Sequence, residues 1–338
     1  MTIAHEWFAE ASQWWWPRLA DHLWQTTVFA LVVFGACFLL RRGPARLRHT
    51  FWLLASAKFL IPVGLFVFFA QQAGINSSLF SHATQQTEQN AVVVLGFNEP
   101  VSSFAFTDEP TITSPRARHN EIYSALTVVW FGGSAAILAV WWIRRRQFMH
   151  LLMLGHTNPL GREWQALKRA QQSLRMKRDV GLVILPSKIE PAVWRVWQPI
   201  VVLPATIVTH LDDAELEAIM LHELVHIQRH DNLIGNLQLA LCALLWFHPV
   251  VWFIGRKLLD ERELACDERV IEVCGAAGAY GSSILKVVRF CFEWRVAGAT
   301  GAAGGSNLRR RIENIMTMGN TKRRAGSGVR LLAGVSLG

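Results

Sequence analysis

Residues 221–231 read Leu-His-Glu-Leu-Val-His-Ile-Gln-Arg-His-Asp, and the reading of His222-Glu223-Leu224-Val225-His226 within them decides the fold. Asp212 and Asp213 can cap a helix whose first turn holds Glu215 and Glu217 and which runs through Glu223 to about Arg229. On a helix, positions i and i+4 share one face. Two imidazoles so placed, His222 and His226, can bind one Zn²⁺ at about 2.0–2.1 Å each. Glu223, next in sequence, can then act as general base toward water at the ion. The same pattern also arises by coincidence on charged helix faces, so a third ligand is the test.

A zinc peptidase site takes three protein ligands and keeps one position open. A further histidine six residues after the second is excluded, because that residue is Asn232. His230 extends the row to about 12 Å, too long for one ion, and is read as solvated or substrate-facing. Glu263, in Glu263-Leu264-Ala265-Cys266-Asp267, is the better candidate. Glu263 and Asp267 are again i and i+4, so Glu263 can ligate while Asp267 accepts an N–H from a liganding histidine. Asn232 to Phe247 carries no charge and spans about 24 Å as a helix. His248-Pro249 offers a turn, and Val250 to Glu263 covers about 20 Å in return. Such a hairpin brings Glu263 back beside His226. If 232–254 crossed a membrane, the two motifs would lie on opposite sides. The segment is therefore read as a hairpin, buried in protein or dipping into the bilayer.

Toward the N-terminus, Trp24 to Leu40 is free of charge and is followed by Arg41 and Arg42. Phe51 to Ala70 is apolar apart from Lys58, and Tyr123 to Ile143 is uncharged and followed by Arg144, Arg145 and Arg146. About 20 apolar residues cross the hydrocarbon core as a helix, so three spans are expected, over 24–40, 51–70 and 123–143. Arg41, Arg42, Arg46 and Arg48 place the first loop in the cytoplasm, and Arg144 to Arg146 place there everything after the third span. The polar loop 71–122 is then outside. Trp14-Trp15-Trp16 reads equally as an interfacial anchor or as a packing cluster.

The composition of the 338-residue chain agrees. Only 17% of residues are charged, against about 25% in ordinary soluble domains, and 15 are Trp. The net charge of +9 is clustered beside apolar runs rather than on one face, which argues against direct nucleic-acid binding. Five cysteines with no C-x-x-C pair indicate neither a disulfide framework nor a cysteine zinc site. Val180 to Leu185 and Pro199 to Leu203 read as strands, and Pro159 to Met176 as an amphipathic helix.

Leu221–Asp231, Trp246-Phe247-His248-Pro249 and Glu261–Arg269 together resemble the zinc peptidase domain of BlaR/MecR-type antirepressors, bacterial β-lactam sensor-transducers. Pro191, Pro199–Pro204 and Leu308–Ile315 are similar to that family as well. The resemblance implies a mainly α membrane protein, with three N-terminal transmembrane helices and an α+β, gluzincin-like zinc peptidase domain. It implies zinc on His222, His226 and Glu263, with Glu223 as base, in an inner-membrane protein whose protease faces the cytoplasm. The expected division is a transmembrane region over 1–150, a cytoplasmic peptidase over 151–328, and the start of a fourth span over 329–338. Two departures stand out. Bulky Trp194-Arg195 occupies a place where a glycine is expected, and a penicillin-binding domain is not expected within residues 1–338. Ser283-Ile-Leu-Lys286 matches S-x-x-K but has no partner motifs, so it reads as a helix-surface coincidence.

The expected reaction is peptide-bond hydrolysis, first of the chain itself near the Gly298–Gly305 stretch and then of a helix-turn-helix repressor. The Val201–Leu203 strand edge is expected to hold the substrate. His248, Arg262 and Tyr280 are candidate oxyanion stabilisers. The rivals are a quality-control protease resembling HtpX or the CAAX prenyl proteases, and a non-catalytic receptor or scaffold. The oligomeric state is open, a homodimer included.

Overall fold

The computed structural model describes residues 2–61, 115–157, 161–186, 189–275, 277–297 and 309–318. Its helices are α1 (Thr2–Leu39), α2 (Ala45–Leu60), α3 (Pro115–Met153), α4 (Arg162–Ser173), the single turn α5 (Ala205–Val208), α6 (Asp213–Gln228), α7 (Asp231–Leu244), α8 (Pro249–Cys274) and α9 (Ala277–Ala297). A last helix, α10, covers 309–318. The strands are β1 (Gly181–Leu185), β2 (Ala192–Trp194) and β3 (Ile200–Pro204).

Among the described residues, two stretches are long and apolar enough to cross a membrane: Trp15–Leu39 in α1 and Glu121–Met153 in α3. Of the second expected span, residues 51–61 are described, helical to Leu60, and 62–70 lie outside the described residues. So do 71–114, Gly298–Gly305 and 329–338. α3 begins at Pro115, earlier than the apolar run alone indicates.

The chain divides into two compact units, Met1–Leu31 with Ala57–Gly132, and Val32–Ser56 with Gly133–Gly338. In the first, Trp15 and Trp16 each lie 6.4 Å from the ring of Trp130, and Trp16 Nε1 donates to Thr127 Oγ1 at 2.9 Å. Trp16 thus packs inside the unit.

The second unit holds both motifs. α6 starts at a capping box: Asp212 Oδ1 accepts from the Glu215 N–H at 2.8 Å, and Glu215 Oε2 from the Asp212 N–H at 3.0 Å. Eleven of its sixteen residues are buried, so it is a core helix rather than a surface one. α4 packs Ala166, Leu167, Ala170 and Gln171 toward the core. The sheet order is β1-β3-β2, with β1 parallel and β2 antiparallel to β3. β3 is therefore the central strand and offers no free edge, which corrects the expected substrate position. The edges belong to β1 and the three-residue β2, a strand too short to announce itself by alternation.

α6 ends where His230 adopts a left-handed φ of 58°, and α7 leaves in a new direction. α7 and α8 form the anticipated hairpin, with Pro249 opening α8 and left-handed Gly275 closing it. At its turn the chain comes so close to α3 that a Cβ on Gly133 would fall 2.3 Å from the Trp246 indole. Phe253 of α8 meets Trp52 at 5.8 Å and Phe34 at 6.0 Å. The start of α2 is bound to α8 by polar contacts: the Ala45 N–H donates to Glu268 at 2.8 Å, and Arg48 Nε to Glu261 at 2.8 Å. Arg48 also donates to the carbonyls of Leu40, Arg41 and Gly43, and is buried. It is a structural cation rather than a solvated loop charge.

Candidate metal centre

His222 and His226 project from one face of α6, and Glu263 from α8 meets them. His222 Nε2 and His226 Nε2 are 3.2 Å apart; Glu263 Oε2 is 3.4 Å from the first, and Glu263 Oε1 is 3.9 Å from the second. A tetrahedral ion with bonds of about 2.0–2.1 Å would hold its ligand atoms about 3.3 Å apart. These three side chains could hold a metal ion.

The outer hydrogen bonds decide what the Nε2 atoms present. His226 Nδ1 lies 2.7 Å from Asp231 Oδ2, an acceptor, so the proton sits on Nδ1. Burial pushes the Asp231 carboxyl up, but the hydrogen bond from His226 and the charges of Arg229 and Arg262 outweigh it and hold it low. On the other side, Tyr280 O–H donates to Asp267 Oδ1 at 2.5 Å, so its oxygen accepts from His222 Nδ1 at 2.7 Å. Both Nε2 atoms therefore carry lone pairs, and they face each other and a carboxylate. Three acceptors turned on one point, with no proton among them, could hold a cation.

Burial opposes ionisation of Glu263, while the Arg262 guanidinium, 2.8 Å from Oε1, favours it. Glu223 is buried on the same helix. Burial pushes its carboxyl up to about 7, reinforced by Glu263 and offset in part by Arg262 and Arg311. A carboxyl poised near neutrality can both take and return a proton. Asp267 is fully buried beside His222, with Tyr280 interposed: the direct Nδ1 to Oδ1 separation is 3.5 Å.

His230 is exposed and joins none of these contacts, because the chain breaks from the helix at that residue. The three oxyanion candidates fare differently. Tyr280 is fully buried and committed to His222 and Asp267. Arg262 donates to Glu263 Oε1 at 2.8 Å. His248 stands about 22 Å along α8 from Glu263. Ser283 is fully buried and donates to the Tyr280 carbonyl, while Lys286 pairs with Glu215 at 2.6 Å, so the S-x-x-K match is a pair of packing contacts.

Asp231, Arg311 and the Tyr280 bridge were not anticipated. Asp231 carried a signal, an acid directly past the end of the histidine helix. Cys266 lies 3.4 Å from His226 Nδ1 and 3.5 Å from Asp231, a second metal-capable group. Burial pushes its thiol well up, and His226 Nδ1 is already committed to Asp231, so the thiol acts as a neutral neighbour.

A family model described as BlaR1 peptidase M56 matches residues 19–315. Among curated proteins, the methicillin resistance mecR1 protein of Staphylococcus aureus is 29% identical over 125 residues, 36% of this chain and 21% of that protein. The regulatory protein BlaR1 of Bacillus licheniformis is 31% identical over 118 residues, 34% of this chain and 20% of that protein. The matched part thus spans about a fifth of the length of these relatives.

Proposed function

We propose, from the premise that the chain belongs to the BlaR1 peptidase M56 family, that it is a membrane-embedded zinc endopeptidase acting in signal transduction. The observation that carries this reading is the convergence of His222 Nε2, His226 Nε2 and Glu263 within 3.2–3.9 Å, with both imidazole Nδ1 atoms occupied. His222, His226 and Glu263 would hold the ion, which supplies Lewis acidity to polarise the scissile carbonyl and acidify water. Glu223 takes the proton of the attacking water and delivers it to the leaving nitrogen. Asp231 and the Tyr280–Asp267 pair hold the two imidazoles in one tautomer and one orientation throughout.

The outer edge of β2 replaces β3 as the proposed substrate cradle. Asn232 Nδ2 donates to the Val193 and Arg195 carbonyls, both at 3.0 Å. These carbonyls are two residues apart, and an added strand would take the place of the Asn232 amide on them. The proposed substrate is the chain itself, between about residues 295 and 325, at the glycine-rich stretch and the basic run after it. A cytosolic repressor follows as second substrate. The apolar stretches of α1 and α3, with their arginine-rich ends, support a multi-pass protein with the centre in the cytoplasm.

The test is self-cleavage of the purified full chain with zinc, mapped by mass spectrometry. Wild type should give a boundary in that window and Glu223→Gln should stay intact. The same fragments from both proteins would refute the proposal.

A further inference from the structure

Glu263 and Asp267 share a cation that comes from outside the hairpin. Arg311, 44 residues beyond Asp267, donates from Nε to Oδ2 and from Nη2 to Oδ1, both at 2.8 Å. Its Nη1 lies 3.4 Å from Glu263 Oε2. The Arg311 side chain is 17% exposed and the Asp267 side chain 0%. α10 is held in place by Ile315, which is fully buried in the core that also contains Tyr280 and Ile284. Next to Arg311, Arg310 Nη2 donates to Glu261 at 3.1 Å, while Arg309 pairs with Glu313 at the surface. Two of the three consecutive arginines therefore grip buried carboxylates, Arg310 from an exposed position and Arg311 from a largely buried one, so this run is not simply a solvated charge cluster.

A two-pronged guanidinium fixes the plane of the carboxylate it grips, which an ammonium does not. With its plane fixed, Asp267 offers Oδ1 to Tyr280 in one direction, and Tyr280 in turn fixes His222. The third prong bears on Glu263. Without it, two buried carboxylates one helical turn apart would repel each other.

We infer that Arg311 is a positioning residue of the metal centre: it sets the planes of Asp267 and Glu263, so that α10 completes the site. This rests on the proposed metal centre, and the experiment separates the two. The full chain is compared with Arg311→Lys, which keeps the charge and loses the fork, with Arg311→Ala, and with the surface control Arg309→Ala. Three quantities are read: the unfolding midpoint of the zinc-free protein, zinc affinity by chelator competition, and the visible absorption of cobalt bound in place of zinc. Both Arg311 variants should bind zinc about 10–100-fold more weakly and show an altered cobalt spectrum. Arg309→Ala should match wild type. Sub-denaturing guanidinium, entering the space left in Arg311→Ala, should restore affinity and spectrum. If Arg311→Ala does not fold, Arg311→Lys carries the test. Wild-type affinity and spectrum in a folded Arg311 variant would overturn the inference while leaving the metal centre standing. Absence of zinc binding by wild type would overturn both.

Discussion

Replacing Tyr280 by Phe removes a single oxygen from the centre. That oxygen is bonded at 2.7 Å to His222 Nδ1 and at 2.5 Å to Asp267 Oδ1, in a fully buried side chain. Burial and the Asp267 charge hold the phenol well above its usual pKa, so it remains a donor across the working pH range. After the substitution, His222 Nδ1 faces Asp267 Oδ1 across 3.5 Å, too far for a good hydrogen bond. Asp267 keeps both Arg311 bonds, so the loss falls mainly on one buried donor, the His222 N–H. Leaving such a donor unsatisfied costs about 1–3 kcal/mol. The ring volume is retained, so no large cavity adds to this. A midrange loss of about 2 kcal/mol is roughly a 30-fold change in an equilibrium constant. Denaturant unfolding of the zinc-free protein should show a loss in that range. Chelator competition should show zinc bound about 10–100-fold more weakly, because the ring is no longer held in its tautomer. A stability change below about 0.5 kcal/mol with unchanged zinc affinity would refute the hydroxyl bridge.

The remaining expectations concern other parts of the same unit. Glu223, with its carboxyl raised to about 7, binds a proton in the zinc-free fold that the unfolded chain releases near 4.5. Stability of the zinc-free protein should therefore fall as pH rises between those values. Glu223→Gln should remove that fall, gaining roughly 3 kcal/mol at pH 8 and almost nothing at pH 4.5 in urea titrations. Glu215 behaves in the opposite way. Burial would raise it, but hydrogen bonds from Lys286, Ser282 and the Asp212 N–H outweigh that and hold it low. Its stabilisation is present above the ordinary carboxylate range and is lost as pH falls through the lowered value, so Glu215→Gln should differ most from wild type at neutral pH and converge with it in acid. Gly133→Ala would place a methyl 2.3 Å from the Trp246 indole, and a thermal midpoint lowered by about 1–3 kcal/mol of stability is expected from the forced shift.

The centre was legible where it rests on helical period. His222 with His226 and Glu263 with Asp267 are pairs one turn apart, and the uncharged stretch between them is long enough to fold back. The parts that were not legible lack any period. Tyr280 and Arg311 reach the site from α9 and α10, through packing that places Ile315 against the α9 core. The break at His230 was hidden because a histidine there stands in a backbone region usually marked by glycine or asparagine. The place of β3 in the sheet depended on β2, three residues ending in Trp194, whose ring packs 4.5 Å from Phe148 of α3.

Glu261 is gripped by Arg48 at 2.8 Å and by Arg310 at 3.1 Å, one from the helix after the first apolar stretch and one from the last described helix. Such a grip does not stretch. Pulling Arg48 away leaves the buried Glu261 with Arg310 alone, at a cost of up to about 3–5 kcal/mol, so the joint holds or lets go, like a latch rather than a spring. A small displacement of α2 would reach α10, and with it Arg311, either as sudden release or not at all.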